Sequence, residues 1–236
     1  MKSLGACLSC LLLSFATIHA APHSAVDPRP RDSRWMERHN LINQRVAETG
    51  EKAQIIFIGD SITQGWEGAG REVWERYYAP RHALNLGIGG DRTQHVLWRL
   101  ENDNLKGLAP KAAVVMIGTN NSNGEDNSVE QIAEGVAAIV HQLRTSLPHT
   151  RVVLLAIFPR SENPSPQRGK LLMVNQIISK LADDPMVEWA DFGHRYIDDQ
   201  GRIPYDLMPD YLHLSTAGYQ IWAESIEPLL SEILNE

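Results

Sequence analysis

The sequence predicts a three-layer α/β/α sandwich around a five-stranded parallel sheet, and three observations carry that expectation. Five short runs, at 55–58, 83–86, 112–117, 152–157 and 187–190, are almost wholly aliphatic. Strands with no polar face are covered on both sides, as in parallel sheets. Longer segments of helical periodicity alternate with them, which supplies the right-handed crossovers that parallel strands require. The chain has 236 residues and is 43% hydrophobic, enough to bury one core without a second domain.

The elements can be justified in order. Residues 1–20 carry one basic residue, an apolar run from Leu4 to Ile18, and small residues at Ala20 and Ala21. This is the pattern of a signal peptide cut after Ala20, so a secreted or periplasmic protein is expected. A membrane anchor fits less well, because the run falls short of about 20 residues and no basic cluster follows it. A lipoprotein would need Cys7 or Cys10 to begin the mature chain, yet the apolar run continues past both. Those are the two cysteines of the chain, so the remainder has no disulfide, thiol nucleophile or Cys-ligated metal.

Residues 21–34 hold three prolines and mixed charge, which reads as a linker or mobile arm. The domain is expected to occupy 35–236. Its helices are predicted at 35–49, 93–102, 128–147, 167–182 and 216–234, the last broken or kinked at Pro228. Exposed aromatics near Trp74, Tyr77 and Tyr78 are candidates for a homodimer face or for packing. A net charge of −7 without a basic run argues against nucleic acid and against docking on anionic lipid.

In open parallel sheets, ligand chemistry gathers beyond the carboxyl ends of the strands. Three polar loops bearing glycine fall there: Gly59-Asp60-Ser61, Leu86-Gly87-Ile88-Gly89-Gly90-Asp91, and Ile117-Gly118-Thr119-Asn120-Asn121. A fourth candidate, Asp210-Tyr211-Leu212-His213, precedes the last helix. A serine hydroxyl attacks only when a base takes its proton, and a neutral imidazole suits that role. A carboxylate fixes the tautomer of the ring, and the spacing of Asp210 and His213 allows one turn to bring them together. Negative charge on a tetrahedral intermediate needs donors, for which the Ser61 N–H, the Gly90 N–H and the Asn120 amide are candidates.

Each residue also has a plainer reading. Ser61 can cap a turn, and His213 can be a structural residue before a helix capped by Ser215 or Thr216. Gly87, Gly89 and Gly90 do not complete the dinucleotide pattern, because Arg92 stands at its last position. His95, Trp98 and Arg99 read as packing or surface residues. No G-x-S-x-G elbow surrounds Ser61, and there is no H-E-x-x-H; Asp198-Asp199 reads as a polar turn, so neither metal nor cofactor is expected.

GDSI at 59–62, the glycine of GIGGD at 87–91, GTNN at 118–121 and DYLH at 210–213 resemble, in order, the four blocks of the SGNH (GDSL) hydrolases. The wider run from RWMERHN through GDSITQGW, HALNLGIGGDRTQHVLWRL and VVMIGTNN is similar to the platelet-activating factor acetylhydrolase catalytic-subunit branch. The resemblance implies a flavodoxin-like sheet and a cofactor-free serine esterase. It carries the nucleophile to Ser61, oxyanion donors to Gly90 and Asn120, and acid and base to Asp210 and His213. Many members have Asn-Asp where this chain has Asn120-Asn121, a departure that leaves the triad untouched. The resemblance implies a small acyl ester as substrate, and the expected export suggests a glycan or lipid carrier; a binding protein of the same fold and an acyltransferase are the alternatives. The loops 67–71, 122–127, 159–167 and 198–208 are expected to wall the pocket.

Overall fold

The computed structural model describes residues 23–235, so the expected signal peptide lies outside the described residues. Five strands, β1 (Ile55–Gly59), β2 (Ala83–Asn85), β3 (Ala112–Met116), β4 (Arg151–Leu155) and β5 (Val187–Ala190), form one sheet in the order β2-β1-β3-β4-β5. All four pairings are parallel. The expected three-layer, flavodoxin-like architecture is the observed one.

Strand side chains alternate between two cores. Ile56, Ile58, Ala113, Val115, Val152 and Leu154 face one cluster, covered by α1 (Ser33–Thr49), α4 (Thr93–Glu101), α5 (Val129–Ser146) and α6 (Pro166–Ile178). Ile55, Phe57, Val114, Met116, Val153 and Leu155 face the other, covered by α3 (Arg71–Tyr77) and α7 (Thr216–Leu234). Each such side chain withdrawn from water contributes about 1.5–3 kcal/mol, so the sheet is held from both faces.

Several boundaries differ from the expectation for physical reasons. The helical pattern after 167 ends at Ile178 and tightens into a 3₁₀ turn over Ser179–Asp183. Helix α7 runs through Pro228, because Trp222, Ala223, Ile226 and Leu230 are buried along it and hold both halves to one core. The aromatics read as exposed are not: Tyr78 is fully buried, and Trp74 and Tyr77 pack partly buried against the same cluster. Tyr78 is part of the second core, and Trp74 and Tyr77 pack on its edge.

Residues 23–32, which read as a linker or mobile arm, lie against the domain. Ala25 is buried, and its carbonyl accepts a 2.7 Å bond from the Thr93 hydroxyl on α4. Asp32 caps α1 by accepting from the Trp35 N–H at 3.1 Å. The segment docks largely through polar contacts, among them His23 to Glu134 and Ser24 to Asn127, which leave no apolar signature in sequence.

Candidate active site

Strand β1 ends where no side chain fits. A Cβ on Gly59 would lie 2.4 Å from the Met116 carbonyl oxygen and 2.1 Å from Thr63 Oγ1. The chain then turns directly into the short helix α2 (Ser61–Gln64), with Asp60 as its N-cap accepting from the Ile62 N–H at 3.0 Å. Ser61 is the first helical residue, so its N–H has no acceptor in its own helix.

The hydroxyl of Ser61 meets a ring from near the other end of the chain. His213 Nε2 lies 2.8 Å from Ser61 Oγ, and His213 Nδ1 lies 2.6 Å from Asp210 Oδ2. A carboxylate only accepts, so Nδ1 carries the proton and Nε2 offers its lone pair to the hydroxyl. Asp210 Oδ1 also accepts the His213 N–H at 2.7 Å and the Leu212 N–H at 3.1 Å, which wraps the turn around the carboxylate. Burial raises the Asp210 pKa, but the His213 ring and these two backbone donors outweigh it and hold the carboxyl below its ordinary range.

The donor loops converge on the same place. Gly90 adopts φ +76°, a left-handed conformation that favours glycine, and its N–H makes no hydrogen bond among the described residues. The neighbouring Gly89 comes close to Ser61: a Cβ built on it would be 3.7 Å from the serine Cβ. Asn120 Nδ2 donates to the Asp91 carbonyl at 2.9 Å and lies 3.5 Å from Asp60 Oδ2. Asn120 thus bonds the residue before Ser61 and the residue after Gly90.

Two buried acids sit behind this surface, and sequence reasoning assigns neither a role. Asp60 is wholly enclosed, and burial pushes its carboxyl up to about 7; the Ile62 N–H opposes that rise, the nearby Asp91 adds to it, and His213 and Arg160 oppose it. Asp91 is also buried. Burial raises its pKa, while Arg99 at 2.8 Å and the Trp35 indole N–H at 2.6 Å stabilise the carboxylate. Arg99, read as a packing or surface residue, is fully buried and continues to Asn104 at 2.6 Å and to the Gly59 carbonyl at 3.3 Å. One guanidinium thus ties the end of β1 to the loop that carries Gly90. Asn121 plays a comparable structural part, since its Oδ1 accepts the Thr93 N–H at 3.0 Å and locks the Asn120 loop to the start of α4.

A cleft of about 560 Å³ opens beside Gly89 and Gln64. It is lined by Arg31, Arg34, Trp35 and Arg38 among others. Arg31 reaches over the glycine turn to bond the Gly89 carbonyl at 2.8 Å. The resulting positive field is felt at His95: burial first, then Arg31, Arg92, Arg99 and Arg29, lower its pKa to about 4. Among the described residues no group of His, Cys, Asp and Glu is arranged to hold a metal ion.

A model of the GDSL-like lipase/acylhydrolase family matches residues 57–221. Platelet-activating factor acetylhydrolase IB subunit alpha1 of Bos taurus is 40% identical over 207 residues, covering 87% of this chain and 86% of that protein. Subunit alpha2 of Rattus norvegicus is 38% identical over 222 residues, covering 92% of each. Among solved structures, the acetylxylan esterase Axe2 of Geobacillus stearothermophilus superimposes with a TM-score of 0.61 at 19% identity, covering 77% of this chain and 95% of that one, a likeness of fold.

Proposed function

The chain belongs to the GDSL-like lipase/acylhydrolase family, and from that premise we propose that it is an exported serine carboxylic-ester hydrolase that removes acetyl or other short acyl groups. The observation that carries the reading is the continuous chain of contacts from Asp210 through His213 to the Ser61 hydroxyl, at 2.6 and 2.8 Å. In this reading His213 Nε2 takes the Ser61 proton as Oγ attacks the acyl carbon, and Asp210 stabilises the resulting imidazolium. The Ser61 N–H, the Gly90 N–H and the Asn120 amide receive the oxyanion. The imidazolium then returns its proton to the leaving alkoxide, and a water activated by the same ring hydrolyses the acyl-enzyme.

The short acyl group is supported by the two acetylhydrolase relatives, and export by the composition of residues 1–20. Export favours a glycan or lipid carrier, and Arg31 and Arg34 in the cleft beside Gly89 suit one rich in oxygen or bearing acidic groups. The test is hydrolysis of a panel of aryl esters of increasing chain length, with and without Ser61→Ala. Turnover that is greatest for acetate and abolished by the substitution is the expected result. Equal turnover by both proteins overturns the reading and leaves a ligand-binding protein of the same fold.

A further inference from the structure

The turn that carries Asp210 and His213 is poorly covered, with side chains 57% and 43% exposed. Tyr211 and Leu212 pack partly buried against the second core, and hydrogen bonds supply the rest of the turn's support. Met208 and Leu214 anchor its two ends in the core. Between them, among the described residues, one backbone bond reaches outside the 206–215 loop, from the Ser161 N–H to the Tyr211 carbonyl at 2.9 Å. Both residues are in the left-handed region, Ser161 at φ +71° and Tyr211 at φ +58°. For side chains other than glycine this conformation persists only where surrounding contacts impose it.

The contact that imposes it at Ser161 comes from α6. Arg168 is 6% exposed, and its guanidinium is spent on carbonyls. Nε donates to Arg160 at 3.0 Å, Nη2 to Ser161 and to Glu162, the latter at 3.3 Å, and Nη1 to Gly201. Burial lowers its pKa. Four carbonyls around one planar fork fix the course of residues 160–162, and the Ile203 N–H closes the cage by donating to the Glu162 carbonyl at 2.9 Å. The adjacent residue, Gln167, holds the Asn120 loop from the same helical turn, donating to the Ser122 carbonyl at 3.1 Å and to Asn123 Oδ1 at 3.2 Å.

We infer that Arg168 is a positioning residue for the acid–base turn: by fixing the Ser161 backbone it fixes Tyr211, and with it the register of Asp210 and His213 against Ser61. This rests on the proposed roles of Ser61, His213 and Asp210, and activity in the parent that Ser61→Ala abolishes establishes those roles separately. A lysine can replace the charge but not the fork, so the claim concerns geometry rather than charge.

The experiment compares the full-length parent with Arg168→Met and Arg168→Lys, measuring kcat and KM on an aryl acetate per reactive serine, counted by titration with a sulfonyl fluoride. The low-field proton of the His213 Nδ1–H bond is followed by NMR in the same samples. The expected result is a fall in kcat of about tenfold or more for Arg168→Met at a KM within a factor of about three, a smaller fall for Arg168→Lys, and loss or broadening of the low-field proton in step with kcat. A purely structural residue lowers the melting temperature while kcat per titrated serine and the proton signal stay at parental values, and that outcome overturns the inference. Should Arg168→Met fail to fold, Arg168→Lys decides: parental kcat with an intact low-field signal overturns the inference, and reduced kcat with a weakened signal supports it.

Discussion

His213 Nε2 rests 2.8 Å from Ser61 Oγ although 152 positions separate the two residues. The sheet makes this possible by holding β1 between β2 and β3, with its carboxyl end opening beside the loop that precedes α7. If this contact activates the hydroxyl, Ser61→Ala or His213→Ala lowers kcat by about 10⁴-fold or more, the scale known for serine–histidine pairs in proteases. Steady-state kinetics on an aryl acetate reads this directly. A loss below about tenfold reassigns the pair to a structural role.

Asn120 Nδ2 donates to the Asp91 carbonyl at 2.9 Å and, more weakly, to Asp60 Oδ2 at 3.5 Å, and the longer bond is the one an oxyanion would displace. Asn120→Ala is expected to lower kcat by on the order of 10²–10³, as removal of a comparable donor does elsewhere. A change in KM at constant kcat would make the amide a substrate-binding group instead.

Asp60 makes stability depend on pH in a defined direction. Its folded pKa, about 7, lies above the ordinary 3.8, so the folded state binds more protons between those values. The favourable contribution is fully present below about 4 and is lost as pH rises to about 7. At about 1.4 kcal/mol per unit, the loss is of the order of a few kcal/mol. Asp60→Asn keeps an oxygen for the Ile62 N–H and has no charge to bury. Its melting temperature should exceed that of the parent at pH 8, with the gap closing towards pH 4; a gap that does not vary with pH counts against a buried, titrating Asp60.

Arg99 and Asp91 are both inaccessible and paired at 2.8 Å. Arg99→Met strands the carboxylate, and chemical denaturation should show a loss of about 3–5 kcal/mol. Adding Asp91→Asn to that variant removes the stranded charge and should recover part of the loss. A double variant no more stable than Arg99→Met would mean that the guanidinium acts mainly through Asn104 and the Gly59 carbonyl.

What is legible in the sequence follows the physics of each element. The five strands stand out because burial on both faces removes polar residues, and the longer helices because their periodicity persists over several turns. Helices α2 and α3 do not: four and seven residues are too few to show a period, and Gly65, Gly68 and Gly70 between them read as loop. The placement of Asp210 beside His213 is a matter of local spacing, which sequence displays. The Arg99–Asp91 and Arg168 contacts fold a helical guanidinium back onto the loop ahead of its own helix, at separations of seven or eight residues, and nothing in the spelling of either segment marks them. The packed 23–32 segment reads as a mobile arm for a related reason, since prolines and charges describe a chain without a period, not one without contacts.

The position of the acid–base turn, immediately ahead of α7, determines when the site can exist. A growing chain acquires the hydroxyl early, at the start of α2 just after β1, and receives the imidazole only after all five strands have been made. Until residues 210–236 emerge and α7 seats Trp222 and Ile226 in the core, no partially synthesised form holds nucleophile and base together. The order of elements along the polypeptide thus makes the meeting of Ser61 and His213 a late event in biogenesis, alongside closure of the second core.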